Sequence, residues 1–251
     1  MLSARELDRY KRQILLFGEE GQERLKRSRI FIAGAGGLGC PISIYLAVAG
    51  VGMITIADQD TVEQTNLNRQ VLHSDSDIGK KKTVSAVEKL RKINPDITVK
   101  GIDRTIDKAN VQRLVGSADG IVDALDNFPT RYLLNRAAIR KGIPLFHGAI
   151  RGLYGQATTI IPGMTPCMAC LFPKAPPAEV FPVVGVTPGI IGMIQATEVI
   201  KYLVRDGRLL TGRLLIWDGL EAHAEEITVE RNPACPVCGR PENRKNKGKD
   251  V

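Results

Sequence analysis

Short runs of consecutive apolar residues, each followed by glycines or a turn and then by a longer amphipathic stretch, set the pattern of the first 150 residues. Residues 29–34 (RIFIAG), 53–58 (MITIAD), 97–103, 120–124 (GIVDA) and 144–148 read as strands. The purest of these runs show no polar alternation, as expected of strands buried on both faces. Between them, 37–49 predicts a buried helix and 79–93 a basic amphipathic helix stopped by Asn94-Pro95. Further helices are predicted near 107–115 and over 129–141. Strand–helix alternation of this kind predicts an α/β fold with a doubly wound, mainly parallel sheet and helices on both faces.

After residue 149 the pattern changes. Residues 155–161 (GQATTII), 213–217 (RLLIW) and 226–230 read as strands, and 189–204 as a helix. The proline-rich stretch 172–188 has no period and predicts a loop that crosses a binding site. The uncharged stretch 30–57 is long enough to span a membrane, but its six glycines divide it into strand, turn, buried helix, turn and strand. The segment around Tyr10 and Arg12 predicts a basic amphipathic helix. No apolar stretch of signal-peptide length precedes it, so a cytoplasmic placement is expected.

Composition narrows the classes. Of 251 residues, 43% are hydrophobic and 25% charged, which excludes a disordered chain, a collagen-like chain and a coiled coil. The net charge of +8 calls for an anionic partner. Part of it lies in a basic tail, 241–251, where Arg244, Lys245, Lys247 and Lys249 face only Glu242 and Asp250. No aromatic platform accompanies the cations, and aromatic residues are only 5% of the chain, so nucleic acid is not the expected partner.

Four motifs carry chemistry. Gly34-Ala35-Gly36-Gly37-Leu38-Gly39 follows a strand and opens a helix. That context suits a phosphate, because the glycines permit close backbone approach and the helix start offers N–H donors. Asp58 ends the second strand, where a carboxylate accepts from ribose hydroxyls. This motif alone does not separate a dinucleotide from ATP. The second motif is Asn66-Leu67-Asn68-Arg69-Gln70 with Gly79-Lys80-Lys81-Lys82, several positive groups that a triphosphate needs and a hydride-transfer enzyme does not. The third is Asp123-Ala124-Leu125-Asp126-Asn127 at the end of the fourth strand. Asp126 is the better Mg²⁺ ligand there, with Asp123 facing inward. The fourth is Cys167-x-x-Cys170 with Cys235-x-x-Cys238, a set that closes a tetrahedral structural Zn²⁺ site. Two redox dithiols or buried free thiols are the other readings of these pairs. Cys40 reads as a small core residue.

Taken together, Arg9-Tyr10-Lys11-Arg12-Gln13, the glycine loop, Asp58, N-L-N-R-Q, G-K-K-K, D-A-L-D-N and the paired C-x-x-C resemble the MoeB/ThiF/HesA family of adenylyltransferases, relatives of the ubiquitin-activating enzymes. The resemblance covers nearly the whole chain. It implies a Rossmann-like fold in a single ATP-binding domain, 1–240. A nucleotide-binding half, 6–150, would be followed by a substrate and zinc half, 151–240, and then the flexible tail. It also implies MgATP-dependent adenylation of the C-terminal glycine of a small β-grasp sulfur-carrier protein ending in Gly-Gly, ahead of thiocarboxylate formation.

Carried over residue by residue, the resemblance places Gly34, Gly36 and Gly37 at the phosphates and Asp58 at the ribose. Asn66, Asn68, Arg69 and Lys82 would hold the triphosphate. Asp126 would hold Mg²⁺ with Asn127 beside it, and the four paired cysteines would hold Zn²⁺. Arg12 would reach the nucleotide of a neighbouring subunit in a homodimer. Arg12, Arg69, Lys82 and Asp126 are thus the expected catalytic set.

Many family members carry a cysteine in the crossover loop; 172–188 contains none. The expectation is adenylation without a covalent intermediate on that loop. The alternatives are adenylation of a small-molecule or peptide carboxylate, an ATP-sensing scaffold and a nicotinamide-dependent oxidoreductase.

Overall fold

A computed structural model describes residues 1–177 and 181–239. The predicted tail at 241–251 and the 178–180 part of the crossover loop lie outside the described residues. In chain order the elements are α1 (Ala4–Arg9), α2 (Lys11–Arg27), β1 (Arg29–Ala33), α3 (Gly39–Ala49), β2 (Met53–Ala57), α4 (Lys82–Ile93), β3 (Thr98–Ile102), α5 (Val111–Val115), β4 (Gly120–Asp123), α6 (Phe128–Lys141), β5 (Leu145–Arg151), β6 (Tyr154–Ile160), α7 (Met168–Leu171), α8 (Val186–Val204), β7 (Arg213–Asp218) and β8 (His223–Thr228).

One eight-stranded sheet, ordered β3-β2-β1-β4-β5-β6-β7-β8, runs through these residues. The first five strands in that order pair in parallel. The last three join antiparallel. The fold is therefore α/β and Rossmann-like, but its sheet is mixed. The reversal comes at the β5–β6 link, where only Gly152 and Leu153 intervene. Two residues suffice for a hairpin, whereas a parallel return needs a dozen or more. Gly152 takes a positive φ of 61° to make the turn.

Both faces of the parallel half are covered. Ile30 and Ile32 of β1 point into one core cluster, with Leu46 of α3, Leu90 of α4 and Val199 of α8. Phe31 and Ala33 point into the other, with Val111 of α5, Leu134 of α6 and Met168 of α7. Burial on alternate sides explains why this strand is apolar at every position but its first. The uncharged stretch 30–57 resolves into β1, α3 and β2. No helix among the described residues is long and apolar enough to cross a membrane.

Several boundaries differ from the sequence pattern: α5 begins at Val111 rather than near 107, β5 runs on to Arg151 rather than ending at 148, and three more have a clear cause. Helix α4 starts at Lys82 rather than 79, because Gly79 takes a φ of 85° and Lys81 forms a β-bridge with Thr61. Helix α8 starts three residues early, at Val186, since Pro188 falls in the first turn where its missing N–H costs no helical bond. The final strand lies at His223–Thr228 rather than 226–230, in register with β7 through Arg213–Thr228 and Asp218–His223.

The turn from β1 to α3 is the tightest approach in the site. A Cβ on Gly39 would lie 2.0 Å from the Gly34 carbonyl oxygen. One on Gly34, whose φ is +105°, would lie 2.6 Å from the Ala124 oxygen. Alanine is the better helix former by about 1 kcal/mol. We nevertheless expect Gly39→Ala to destabilise the fold by about 1–3 kcal/mol through overpacking. Urea unfolding checks the sign; a gain in stability would contradict the geometry.

Candidate active site

The C-terminal ends of β1, β2 and β4 open into a cleft of about 430 Å³. Its floor is the glycine loop, and a single residue of that loop is gripped from both sides. The Ala35 N–H donates to Asp58 Oδ2 at 2.7 Å. The Ala35 carbonyl lies 3.0 Å from His73 Nε2, and His73 Nδ1 lies 2.9 Å from Ser85 Oγ. Asp58 Oδ1 also accepts from the Asp60 N–H. Burial pushes the Asp58 carboxyl up and the His73 imidazole down. A neutral His73 then carries its proton on Nε2, as the carbonyl partner requires. A Cβ on Gly36 would meet only Gln70 Nε2, at 3.7 Å, so the loop backbone is open to the cleft.

Cations and a carboxylate face this floor. Lys82, nearly buried at the start of α4, pairs with Asp60 Oδ2 at 2.9 Å. Arg69 donates from Nη1 to the Thr65 carbonyl at 2.9 Å and to Asn68 Oδ1 at 3.0 Å. Across the cleft, Asn127 caps α6 by accepting from the Thr130 N–H. Asp126 beside it is exposed, with Asn127 Nδ2 at 3.5 Å from its Oδ1. An exposed carboxylate aimed at a cationic cleft fits Mg²⁺, which takes one or two carboxylates together with phosphate oxygens.

Gly34, Gly36, Gly37, Asp58, Arg69, Lys82, Asp126 and Asn127 thus line one cleft. Three expected residues do not. Asn66 is buried and accepts from the Glu63 N–H at 3.2 Å, closing a turn. Asn68 is turned to Arg69. Arg12 is exposed on α2 and lines no part of this cleft.

Sequence reading missed Asp60, Arg104 and Arg131, all of which line the cleft. Arg131 is buried, donating to the Leu125 and Gly148 carbonyls, with Nε 3.3 Å from Asp123 Oδ2. Its position four residues after Asn127 was the available signal, since i and i+4 share a helix face.

The crossover loop reaches the site as expected. Phe181, Val183 and Pro188 line the cleft. The loop is stitched to the β5–β6 turn by Gly152 N–H to Pro182 O at 2.7 Å and Thr187 Oγ1 to Gly152 O at 2.8 Å. On the far side of Val183 lies an open, largely apolar groove of about 660 Å³, lined by Leu153, Tyr154, Pro182, Val184 and Leu220 among others.

The four paired cysteines converge. Their Sγ atoms lie within 4.8 Å of one another, with Cys167–Cys235 at 3.8 Å and Cys170–Cys238 at 3.4 Å, and none is in a disulfide. A tetrahedral ion with Zn–S bonds of about 2.3 Å sets its sulfurs about 3.8 Å apart, so the donor set fits zinc. Cys40 is buried in the core, its thiol pushed up to about 12 by burial.

Comparison with known proteins shows which chains this one is similar to. Residues 10–237 match the ThiF family. The SAMP-activating enzyme E1 of Haloferax volcanii is 49% identical over 246 residues, covering 95% of this chain and 91% of that protein. The sulfur carrier protein adenylyltransferase of Thermus thermophilus is 45% identical over 247 residues, covering 93% and 91%. Among solved structures, E. coli MccB with ATP superposes with a TM-score of 0.83 at 27% identity, over 94% of this chain and 75% of that one.

The buried titratable groups make the fold acid-sensitive. His73 and His147 are both pushed down by burial, so the unfolded chain takes up protons first as pH falls below about 6.5. Burial pushes Asp123 up, but Arg131 and His147 outweigh it and hold the carboxyl below its usual range. Its contribution is present above about pH 4 and is lost as pH falls further. The urea midpoint should therefore hold level from about pH 8 to 7, decline below about 6.5 and fall more steeply below about 4. His73→Gln should remove part of the first decline; an unchanged profile would contradict a neutral His73.

Proposed function

The chain belongs to the ThiF family, and we propose that it uses MgATP to adenylate the C-terminal glycine carboxylate of a small β-grasp sulfur-carrier protein. The observation that carries this reading is the cleft itself. A glycine floor, a ribose-height carboxylate, the cations Arg69, Lys82, Arg104 and Arg131 and an exposed Asp126 meet at one sheet edge, and Val183 separates them from an apolar groove. In the reaction a carboxylate oxygen bonds to the α-phosphorus while the bond to the bridging oxygen breaks, releasing pyrophosphate. No protein nucleophile is needed; alignment and charge neutralisation suffice.

The residues divide this work. The loop amides at Gly36 and Gly37 and the start of α3 receive phosphate oxygens, Gly34, whose N–H is held by the Ala57 carbonyl at 2.9 Å, gives the tight turn beneath them, and Asp58 accepts from the ribose. Lys82 leaves Asp60 for the triphosphate. Arg69 joins it, on a turn shaped by Asn66 and Asn68. Asp126 and Asn127 hold Mg²⁺, which neutralises phosphate charge when bound. Arg12 completes the neighbouring subunit's cleft in a homodimer. Cys167, Cys170, Cys235 and Cys238 hold a structural Zn²⁺ that ties the C-terminal segment to α6 and α7. The working unit is one domain, 1–240, in the cytoplasm.

The route assigned to a slim Gly-Gly tail is along the apolar groove to Val183, which lines both that groove and the cleft. The adenylate is then handed on without a covalent enzyme intermediate. One cysteine is sealed in the core, four are clustered, and 172–188 holds none. Sulfur arrives from a separate protein or from sulfide. The likeness to MccB and the cysteine-free loop favour one second reading, adenylation of another peptide or small carboxylate.

ATP–pyrophosphate exchange distinguishes the two. It should require a carrier ending in Gly-Gly and vanish when those glycines are removed. Exchange that ignores carriers and responds to a small acid selects the second reading. Arg69→Ala, Lys82→Ala and Asp126→Ala should each slow exchange by about 10²–10³-fold with the fold intact. Wild-type exchange in Asp126→Ala would refute the metal assignment. Elemental analysis should find one zinc per chain, lost in Cys170→Ser together with thermal stability.

A further inference from the structure

Asp126 stands exposed on a short turn, and a metal ligand must be held within about 0.5 Å of its working position. The support comes from behind. Asp123, the last residue of β4, is fully buried. Its Oδ1 accepts from the Leu125 N–H at 3.2 Å. Its Oδ2 lies 2.7 Å from His147 Nδ1 and 3.3 Å from Arg131 Nε. Arg131 in turn donates from Nη2 to the Leu125 carbonyl. Both backbone polar groups of Leu125 are therefore held, one residue before Asp126.

His147 closes this chain. It is fully buried on β5, its ring centroid 5.9 Å from that of Phe172 in an edge-to-face arrangement. Its Nε2 lies 3.3 Å from Gln156 Nε2, an amide donor, so Nδ1 carries the proton and donates to Asp123. The sheet does not need this bond. Asp123 and His147 are already neighbours in the β4–β5 ladder, and Gln195 Nε2 clamps the Asp123 and Phe146 carbonyls at 2.9 and 3.0 Å. With the strand ends fixed independently, the side-chain bond acts on the turn.

We propose that His147 is a positioning residue: by donating from Nδ1 to Asp123 it fixes the Asp123–Arg131 pair that grips the Leu125 peptide, and so sets the Asp126 carboxylate for a divalent cation. The proposal rests on the reading of Asp126 as the cation ligand.

The test measures cation binding rather than turnover. Free Mn²⁺ is followed by electron paramagnetic resonance as it binds the full chain with a non-hydrolysable ATP analogue. His147→Leu removes the donor, whereas His147→Asn keeps an N–H near the Nδ1 position. His147→Leu should weaken Mn²⁺ binding by about 10–100-fold, the usual cost of losing a residue that supports a ligand, and His147→Asn should restore most of it. Analogue binding without cation should be unchanged in both. Should His147→Leu fail to fold, His147→Ser, too short to reach Asp123, takes its place. Wild-type Mn²⁺ affinity in His147→Leu, or equal affinities in His147→Ser and His147→Asn, overturns the proposal. Asp126→Ala, measured alongside, separates the two claims. If it abolishes Mn²⁺ binding while the His147 variants do not alter it, only the positioning role fails. If it binds Mn²⁺ normally, the ligand reading fails and the proposal with it.

Discussion

Both hydrogen-bonding groups of Ala35 are occupied from opposite sides, the N–H by Asp58 and the carbonyl by His73. That double grip is the constraint on which the site depends. It anchors the glycine loop to the end of β2 on one side and, through His73 and Ser85, to α4 on the other. The loop backbone is thus set before any ligand arrives, which spares a phosphate the cost of ordering it. The same contact explains why Asp58 is fixed in place: its carboxylate faces the cleft while its other bonds hold the floor. Two roles for one side chain are possible because a carboxylate has about four acceptor positions.

The change from parallel to antiparallel pairing organises the rest. On the parallel side, strand ends and helix starts converge on the nucleotide-sized cleft, as ligand sites in open α/β sheets do. On the antiparallel side, β8 is exposed along its length and the apolar groove opens beside the β5–β6 turn. The crossover strap joins the two through Gly152, which receives Thr187 and donates to Pro182. A carboxylate arriving along the groove meets the cleft at Val183. The reversal at two residues, Gly152 and Leu153, therefore separates the nucleotide region from the region proposed for the acyl partner.

Charge follows the same division. The basic run at residues 80–82 looks uniform, yet its members do different things. Lys80 pairs with Asp77 and Glu88, and Lys81 with Asp103. Only Lys82 of the three lines the cleft. Of these pairs, Lys80–Glu88 and Lys81–Asp103 are exposed and contribute little to stability, whereas Asp77 is buried. Their effect is to neutralise the flanking cations and leave one ammonium free to exchange Asp60 for a phosphate.

Much of the site was legible in the sequence because short-range geometry determines it. The strand–glycine–helix turn, the ends of β2 and β4, and the C-x-x-C spacing each lie within a few residues, where sterics and periodicity decide. Gly34, Gly39, Asp58, Lys82 and Asp126 follow from those local rules. What only the tertiary structure decided involves partners far apart in the chain. Asn66 and Asn68 have ligand chemistry, but the turn at 64–70 directs them to its own backbone and to Arg69. Asp123, Arg131 and His147 come from β4, α6 and β5 and meet only when the strands pair. The i+4 spacing from Asn127 puts Arg131 on the site face of α6, but no spacing announces its meeting with Asp123 and His147, since burial of a carboxylate is tolerable only where distant cations and donors arrive to pair with it. Convergence of the two cysteine pairs, 64 residues apart, was suggested by residue type, but their approach to sulfur contact distance is a property of the fold.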